Sequence, residues 1–331
     1  MRLRAIAVIA ALAALATGLV AGAGSAGTNA IAGGNIVFSA IDPSDGLSDI
    51  YVMQSDGSAL ANISHDQTVR KDVTPAWSPN GAKIVFVRAA LGTKLMVVNG
   101  NGSGLRDVTP TQFSRATTID PTWAPDGRRI VFASNVDGNY DLYWIDASTS
   151  STTGPIVHRL TKTEAPVRNA DPSWSPNGKS IVFSRSGDGS SLTGAAGLFQ
   201  LDVLSLQTTQ LTKPAGLHGD VSPAYSPDSR QIAFSSDRAG NDDVYLLDLA
   251  TKTRTTIAAS PQSDAQPAFA PDGSAIVFVS TRKGATELFV QNLVGASPAP
   301  SAPVQITFDG RVKSNPGWGP ASLTPQLKSA L

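Results

Sequence analysis

Five aspartates recur shortly before an aromatic residue, and they are the side chains in this sequence best suited to binding chemistry. Each lies three or five positions before a Trp, Tyr or Phe; they are Asp72, Asp120, Asp171, Asp220 and Asp264. Two of the three histidines, His65 and His218, lie a few residues before two of these aspartates. If a fold brings these groups to one opening, they can bind a cation, an amine or a basic peptide segment.

Each aspartate also has a purely structural interpretation. Aspartate commonly accepts hydrogen bonds from nearby backbone N–H groups where a turn or strand begins, and that role needs no ligand. A separate acidic segment, 137–141, matches the opening of a calcium loop but lacks the glycine and the terminal glutamate that such a loop requires. We therefore expect no cofactor, and the one candidate is a cation such as calcium at the shared opening.

Catalytic motifs are missing from the sequence. There is no Gly-x-Ser-x-Gly nucleophile motif, no His-Glu-x-x-His zinc motif and no phosphate-binding loop. The sequence therefore favours a non-catalytic binding protein. One alternative stays open, because the aspartates together with His65 and His218 can also form the site of a metal-assisted hydrolase or lactonase.

The aspartates precede a phrase that recurs along the chain, Pro-x-aromatic-Ser/Ala-Pro-Asp/Asn-Gly, which leads into Ile-Val-Phe. It occurs with small variations in 75–86, 121–132, 172–183, 223–234 and 267–278. With Trp318 included, the successive aromatic residues are 46, 51, 51, 44 and 49 positions apart. Strand-rich units at such a period indicate an array of small sheets.

The pattern of each repeat unit predicts that the unit forms four strands. Strand A is the aromatic phrase, strand B the Ile-Val-Phe run, strand C the next apolar run, and strand D a short polar edge. The first B strand, 35–39, has no phrase before it, whereas the phrase at 315–320 has no B strand after it. The two ends are therefore complementary parts of one unit. The sequence predicts an all-β, six-bladed β-propeller of four-stranded blades, closed by a C-terminal strand that completes the N-terminal blade.

Two further expectations concern side chains within the blades. The aromatic residue of strand A is expected in the core, because it occupies the same place in every unit. At the B–C hairpins, Arg238 with Asp243 and Arg282 with Glu287 are spaced to form exposed ion pairs, which contribute only about 0–1 kcal/mol.

The repeated Pro-x-Trp-Ser-Pro-Asp-Gly-x-x-Ile-Val-Phe unit resembles the WD40-like repeat of the TolB family, over roughly residues 34–320. The same repeat occurs in the propellers of prolyl oligopeptidase-like and tricorn-like proteases, so the resemblance implies an architecture before an activity. TolB proteins are periplasmic, carry an α/β domain before the propeller and contact a peptidoglycan-associated lipoprotein. Here the export signal leads almost directly into the first blade, so we expect a propeller-only relative without an implied role in a Tol system.

The N-terminus indicates export. Arg2 and Arg4 precede an apolar run and small residues, a pattern that predicts a secretory signal peptide over 1–26. A Gly-rich lead-in (27–33), the propeller (34–320) and a tail (321–331) follow. We expect a periplasmic or secreted monomer with no membrane span after signal cleavage.

The composition of the chain limits the classes of partner that it can bind. With 26 basic and 26 acidic residues the formal net charge is zero, which disfavours nucleic acid. The absence of cysteine rules out disulfides and thiolate zinc sites. The expected partner is another protein, through a peptide segment, or an envelope polymer.

Overall fold

A computed structural model describes residues 33–64, 70–147, 156–187, 196–213, 218–294, 297–299 and 301–320. The predicted signal peptide, nearly all of the Gly-rich lead-in, the predicted tail and His65 lie outside these described residues. Within the described ranges, no helix has the length and apolar character needed to span a bilayer.

The described residues form short strands in chain order. The first seven are β1 (Asn35–Ile41), β2 (Ser48–Gln54), β3 (Ala61–Asn62), β4 (Lys71–Trp77), β5 (Lys83–Ala89), β6 (Thr93–Asn99) and β7 (Arg106–Asp107), followed by a 3-10 turn at Thr111–Phe113. The next eight are β8 (Thr118–Trp123), β9 (Arg129–Ser134), β10 (Asp141–Asp146), β11 (Val157–Arg159), β12 (Arg168–Trp174), β13 (Ser180–Ser186), β14 (Gly197–Asp202) and β15 (Thr208–Gln210). The remaining strands are β16 (Asp220–Tyr225), β17 (Gln231–Ser236), β18 (Asp243–Asp248), β19 (Arg254–Ala258), β20 (Asp264–Phe269), β21 (Ala275–Lys283), β22 (Ala285–Val294), β23 (Ser297–Pro298), β24 (Val304–Gln305) and β25 (Val312–Gly319).

Antiparallel pairing groups these strands into six blades. Blade 1 is β25-β1-β2-β3, blade 2 is β4 to β7, blade 3 is β8 to β11, blade 4 is β12 to β15, and blade 5 is β16 to β19. Blade 6 is β20-β21-β22, with both β23 and β24 paired to β22. The predicted six-bladed propeller is confirmed. Its predicted closure is confirmed too, because β25 pairs with β1 from Val312 opposite Ile41 to Gly319 opposite Asn35.

The core lies between the blades. Every B strand is buried on both faces, because each sheet is covered by its two neighbours. The B-strand Phe of a blade packs on an aromatic of strand C in five blades, with ring centroids 5.8–6.1 Å apart. The aromatic residues of strand A are buried in five blades, from 5% exposure for Trp123 to 9% for Trp318, and Trp77 is half-buried. The expected core role is therefore met.

A bulge interrupts strand A in every blade, at the residue before its proline. We call this residue the pre-proline residue. The six are Thr74, Asp120, Asp171, Ser222, Gln266 and Asn315, and their φ angles are 50–55°. This is the left-handed region, which non-glycine residues enter only when surrounding contacts hold them there. The register of strand A shifts at this point in the blades, so the pre-proline amide is released from the ladder with strand B.

Candidate functional site

A central channel runs between the six A strands, and it is the candidate functional site. Its cavity has a volume of about 230 Å³. All six blades contribute the same segment, the pre-proline residue, the proline and the one or two residues that follow. The lining therefore repeats the backbone six times while its side chains differ from blade to blade.

Hydrogen bonds between neighbouring blades link the pre-proline residues around the channel. The Asp171 N–H lies 3.4 Å from Oδ2 of Asp120, and the Ser222 N–H donates to Oδ2 of Asp171 at 3.3 Å. The Asn315 N–H donates to Oε1 of Gln266 at 2.8 Å. The left-handed φ explains these contacts, because it turns each amide away from strand B and toward the preceding blade.

Asp120 and Asp171 place two carboxyl groups side by side in the channel. Burial raises the pKa of Asp120 well above its usual value, and the neighbouring charge of Asp171 raises it further. Asp171 also accepts a hydrogen bond from the Ser184 hydroxyl at 2.8 Å. None of the residues that line the cavity is basic. Such a pair can share a proton, hold a cation, or accept an ammonium or guanidinium group.

The other three aspartates occupy a second type of site. Asp72, Asp220 and Asp264 precede the pre-proline residue by two positions, are at most 1% exposed, and are not among the residues lining the cavity. Each forms an ion pair with an arginine of its own blade. Arg88 binds Asp72 through two N–H···O bonds of 2.8 and 2.7 Å. The structure thus divides the five aspartates between the channel and the blades.

These arginine pairs correct one expectation from the sequence. Arg238 pairs with Asp220 instead of Asp243, and Arg282 pairs with Asp264, at 2.8 Å, instead of Glu287. The predicted partners lie on strand C, across the hairpin, whereas the observed ones lie on strand A; the carboxylates of both sets are buried. The arginine also covers the aromatic pair of its blade: the Arg282 guanidinium carbon lies 5.0 Å from the Phe289 ring centroid.

Neither of the two described histidines, His158 and His218, lines the channel cavity. His218 lies 3.3 Å, through Nδ1, from Asp237 and is not part of the cavity lining. His65 lies outside the described residues. His158 stacks on Trp144 with centroids 4.1 Å apart. Across the described ranges, no group of three or more His, Cys, Asp or Glu side chains is placed to hold a metal ion.

Sequence reasoning missed Thr74, Ser222, Gln266 and Asn315 as lining residues. A signal for them was present, because each precedes the strand A proline. Aspartate alone does not mark the lining position, because two of the five aspartates are pre-proline residues and the other three stand two positions earlier.

Comparison with known proteins places the chain in a family. The model of the TolB β-propeller domain matches residues 49–193 and 195–324. The Tol-Pal system protein TolB of Francisella tularensis subsp. holarctica is 34% identical over 95 residues, which is 28% of this chain and 20% of that protein. The chain thus aligns with about a fifth of the length of the curated relatives it matches.

Solved structures agree on the fold. TolB from Acinetobacter baumannii superposes with a TM-score of 0.69 at 19% identity, over 87% of this chain and 67% of that one. A Mycobacterium tuberculosis puromycin-hydrolyzing peptidase superposes with a TM-score of 0.58 at 14% identity, over 84% of this chain and 45% of that one. At these identities the structural matches establish the fold alone. The family match covers most of the chain, and the protein belongs to the TolB β-propeller domain family.

Proposed function

We propose that this protein is an exported, non-catalytic binding module, which takes up a basic segment of another protein at its channel. The observation that carries the proposal is the cavity lining, with Asp120 and Asp171 adjacent and no basic side chain beside them. A lysine or arginine of a partner would offset a carboxylate charge that the channel itself leaves without an opposite charge. An envelope polymer with amine groups is the alternative ligand of the same site.

Two kinds of support favour the cell envelope or the outside of the cell as the place of action. The first 26 residues have the pattern of a secretory signal peptide. A curated relative that is 34% identical over 95 residues is named as TolB of the Tol-Pal system. The proposal extends to this chain the idea that such a propeller serves protein contacts.

Binding is favoured over hydrolysis because, among the described residues that line the cavity, Asp120 and Asp171 have no third Asp, Glu, His or Cys beside them to complete a metal site. Oδ2 of each aspartate also faces a backbone N–H of the next blade, at 3.4 Å for Asp120 and 3.3 Å for Asp171, which orients the two carboxyl groups in the channel. The metal-assisted hydrolase or lactonase remains the competing hypothesis for the same opening.

The test uses the wild-type chain and an Asp120→Asn/Asp171→Asn variant as baits on envelope extract, followed by affinity measurements with the purified captured partner. We expect the variant to bind at least about tenfold more weakly, because charged pairs at a buried site contribute more than 1.4 kcal/mol. Asp126→Asn is the matched control, since Asp126 is in the same blade but pairs with Arg129 outside the cavity. Equal affinity of all three baits would contradict the proposal.

The same preparations separate binding from catalysis. Metal content is measured by mass spectrometry, and hydrolysis of a simple lactone and of p-nitrophenyl acetate is followed with each bait. Turnover by the wild type that the Asp120→Asn/Asp171→Asn variant loses, together with bound metal, would establish the hydrolase instead.

A further inference from the structure

Consecutive blades meet in six seams, where the start of strand C in one blade contacts strand A of the next. In three of them a backbone hydrogen bond fixes the contact: Asn169 N–H to Tyr140 O at 3.0 Å, Asp220 N–H to Ala196 O at 2.8 Å, and Asp264 N–H to Asp242 O at 2.7 Å. Equivalent side chains in different seams are therefore held in equivalent places. The seams serve as internal comparisons for one another.

In two seams an acidic residue at the start of strand C is fully paired. Between blades 3 and 4, Asp141 accepts hydrogen bonds from Arg159 Nη2 at 2.6 Å, Thr161 Oγ1 at 2.7 Å and Asn169 Nδ2 at 2.9 Å. Between blades 6 and 1, Glu287 pairs with Lys313 Nζ at 2.7 Å and accepts the Thr307 hydroxyl. Each buried acid thus has a cation and a hydroxyl donor.

The seam between blades 5 and 6 keeps the acid and lacks both donors. Asp243 stands at the place of Asp141, because each begins strand C opposite the last serine of strand B. Ala258 pairs with Val244 where a threonine hydroxyl binds the equivalent amide in the 3/4 seam, so no hydroxyl reaches Asp243. Asp264 stands where Asn169 donates an amide, so a second carboxylate replaces a donor.

Both carboxylates have an unsatisfied buried oxygen. Oδ1 of Asp243 and Oδ1 of Asp264 are buried and have no hydrogen-bond partner among the described residues, and the two residues are 4% and 0% exposed. Arg282 pairs with the other oxygen of Asp264. Asp243 and Asp264 with one guanidinium leave a net negative charge in the seam, and Asp242 is a third carboxylate close enough to act on Asp243. A buried charge of this kind requires an opposite charge or a proton.

Neighbouring groups do not supply that charge. Burial raises the pKa of Asp243, followed by the charge of Asp264; a hydrogen bond from the Ser260 backbone N–H acts in the opposite direction without supplying a charge, and Asp242 adds a smaller raising effect. Arg238 is committed to Asp220 on the far side of strand B. The ionised form of Asp243 is therefore destabilised by everything charged that affects it.

We propose that a divalent cation, with Ca²⁺ as the chemically fitting ion, binds between Asp243 Oδ1 and Asp264 Oδ1. It takes the electrostatic role that Lys313 and Arg159 have in the other two seams. Carboxylate oxygens are the hard ligands that Ca²⁺ prefers, and water or backbone carbonyls complete its coordination. This site is separate from the channel, since neither aspartate lines the cavity, and it does not depend on the proposed binding function.

Thermal unfolding with EDTA and with CaCl₂ tests the site. We expect Ca²⁺ to raise the melting temperature of the wild-type chain by about 3–8 °C at saturation. The Asp243→Asn/Asp264→Asn variant should lose this shift, whereas Asp120→Asn/Asp171→Asn should keep it. A shift that is absent from the wild type, or that only the channel variant abolishes, overturns the proposal. A calcium-insensitive wild type that melts lower as pH rises would show a shared proton instead.

Two more variants keep the test decisive if the double asparagine variant fails to fold. Tyr245 lies two residues from Asp243 on the same strand, and the Asp243 charge helps to raise its pKa. Bound Tb³⁺ should therefore emit when Tyr245 is excited, and Tyr245→Phe, which reproduces the Phe of blades 4 and 6, should lose most of that emission. Asp264→Asn with Ala258→Thr restores the amide and hydroxyl donors of the 3/4 seam and removes one of the two carboxylates, so this variant should be less dependent on calcium than the wild type. Unchanged Tb³⁺ emission from Tyr245→Phe would count against the site.

Discussion

Replacing Lys313 tests how much its ion pair between blades 6 and 1 contributes to the free energy of unfolding. Lys313 lies on β25, which completes blade 1, and its side chain is 0% exposed. Its Nζ lies 2.7 Å from Glu287 of blade 6, whose side chain is 4% exposed, and Asp309 is a second partner. Lys313→Ala would leave the Glu287 carboxylate buried without its cation. Breaking a buried pair in this way costs about 3–5 kcal/mol.

The assay is urea unfolding followed by tryptophan fluorescence, in which the midpoint and slope give the free energy of unfolding. Lys94→Ala is the matched control, because Lys94 pairs with Asp107 at 2.9 Å but is 61% exposed. That variant should lose less than about 1 kcal/mol. Lys313→Met combined with Glu287→Gln removes both charges and should recover much of the loss, since no unpaired charge remains. If Lys313→Ala costs no more than Lys94→Ala, the ion pair does not contribute to closing the ring.

Three other outcomes follow from the packing and the channel. Trp174→Ala should lose about 3–5 kcal/mol in the same assay, because the side chain is 6% exposed and Arg129 covers its ring at 4.8 Å; a loss under about 1 kcal/mol would contradict its core role. Asp120→Asn should raise the melting temperature at neutral pH. The folded pKa of Asp120 is raised, so ionisation opposes folding above it, and the gain should shrink on acidification toward the unfolded pKa of 3.8; a pH-independent difference would argue against this cause. Deleting 314–331 should abolish cooperative thermal unfolding, because β1 loses its partner strand, whereas deleting 321–331 leaves β25 intact and serves as the control.

The blades and their order were predictable because they depend on local patterns that repeat. Every sheet needs the same three features to fold and pack. These are an apolar B strand, a proline-containing turn and an aromatic residue at a recurring spacing, and all three can be recognised in the sequence. The split first unit predicted closure for the same reason, since β25 and β1 complete one pattern between them. The signal was strong because six copies of one phrase carried it.

The partners of charged side chains were not predictable, because they depend on strands far apart in sequence. Arg238 and Asp243 are neighbours across a hairpin and both Asp243 and Asp220 are buried, yet Arg238 pairs with Asp220 on strand A. The left-handed pre-proline residues were hidden in the same way. A residue before proline is biased toward extended structure. Here the preceding blade supplies an acceptor for the released amide, as Gln266 does for Asn315 at 2.8 Å, and such a partner can be seen only in the folded ring.

The seams and the channel explain how one repeat can carry different chemistry without a change of fold. Strand pairing fixes the backbone of each blade. The contacts within a seam depend on the residues that begin strand C and on those that begin strand A of the next blade. In the first two seams hydroxyls suffice: Ser48 donates to Asp72 O at 2.9 Å, and Thr93 and Thr118 are joined at 3.0 Å. Three of the later seams have an acid at this place instead, namely Asp141, Asp243 and Glu287, whereas strand C of blade 4 begins with Gly197. Substitutions at seams therefore alter stability, while substitutions at the pre-proline residues alter the channel lining and, at a buried carboxyl such as Asp120, stability as well.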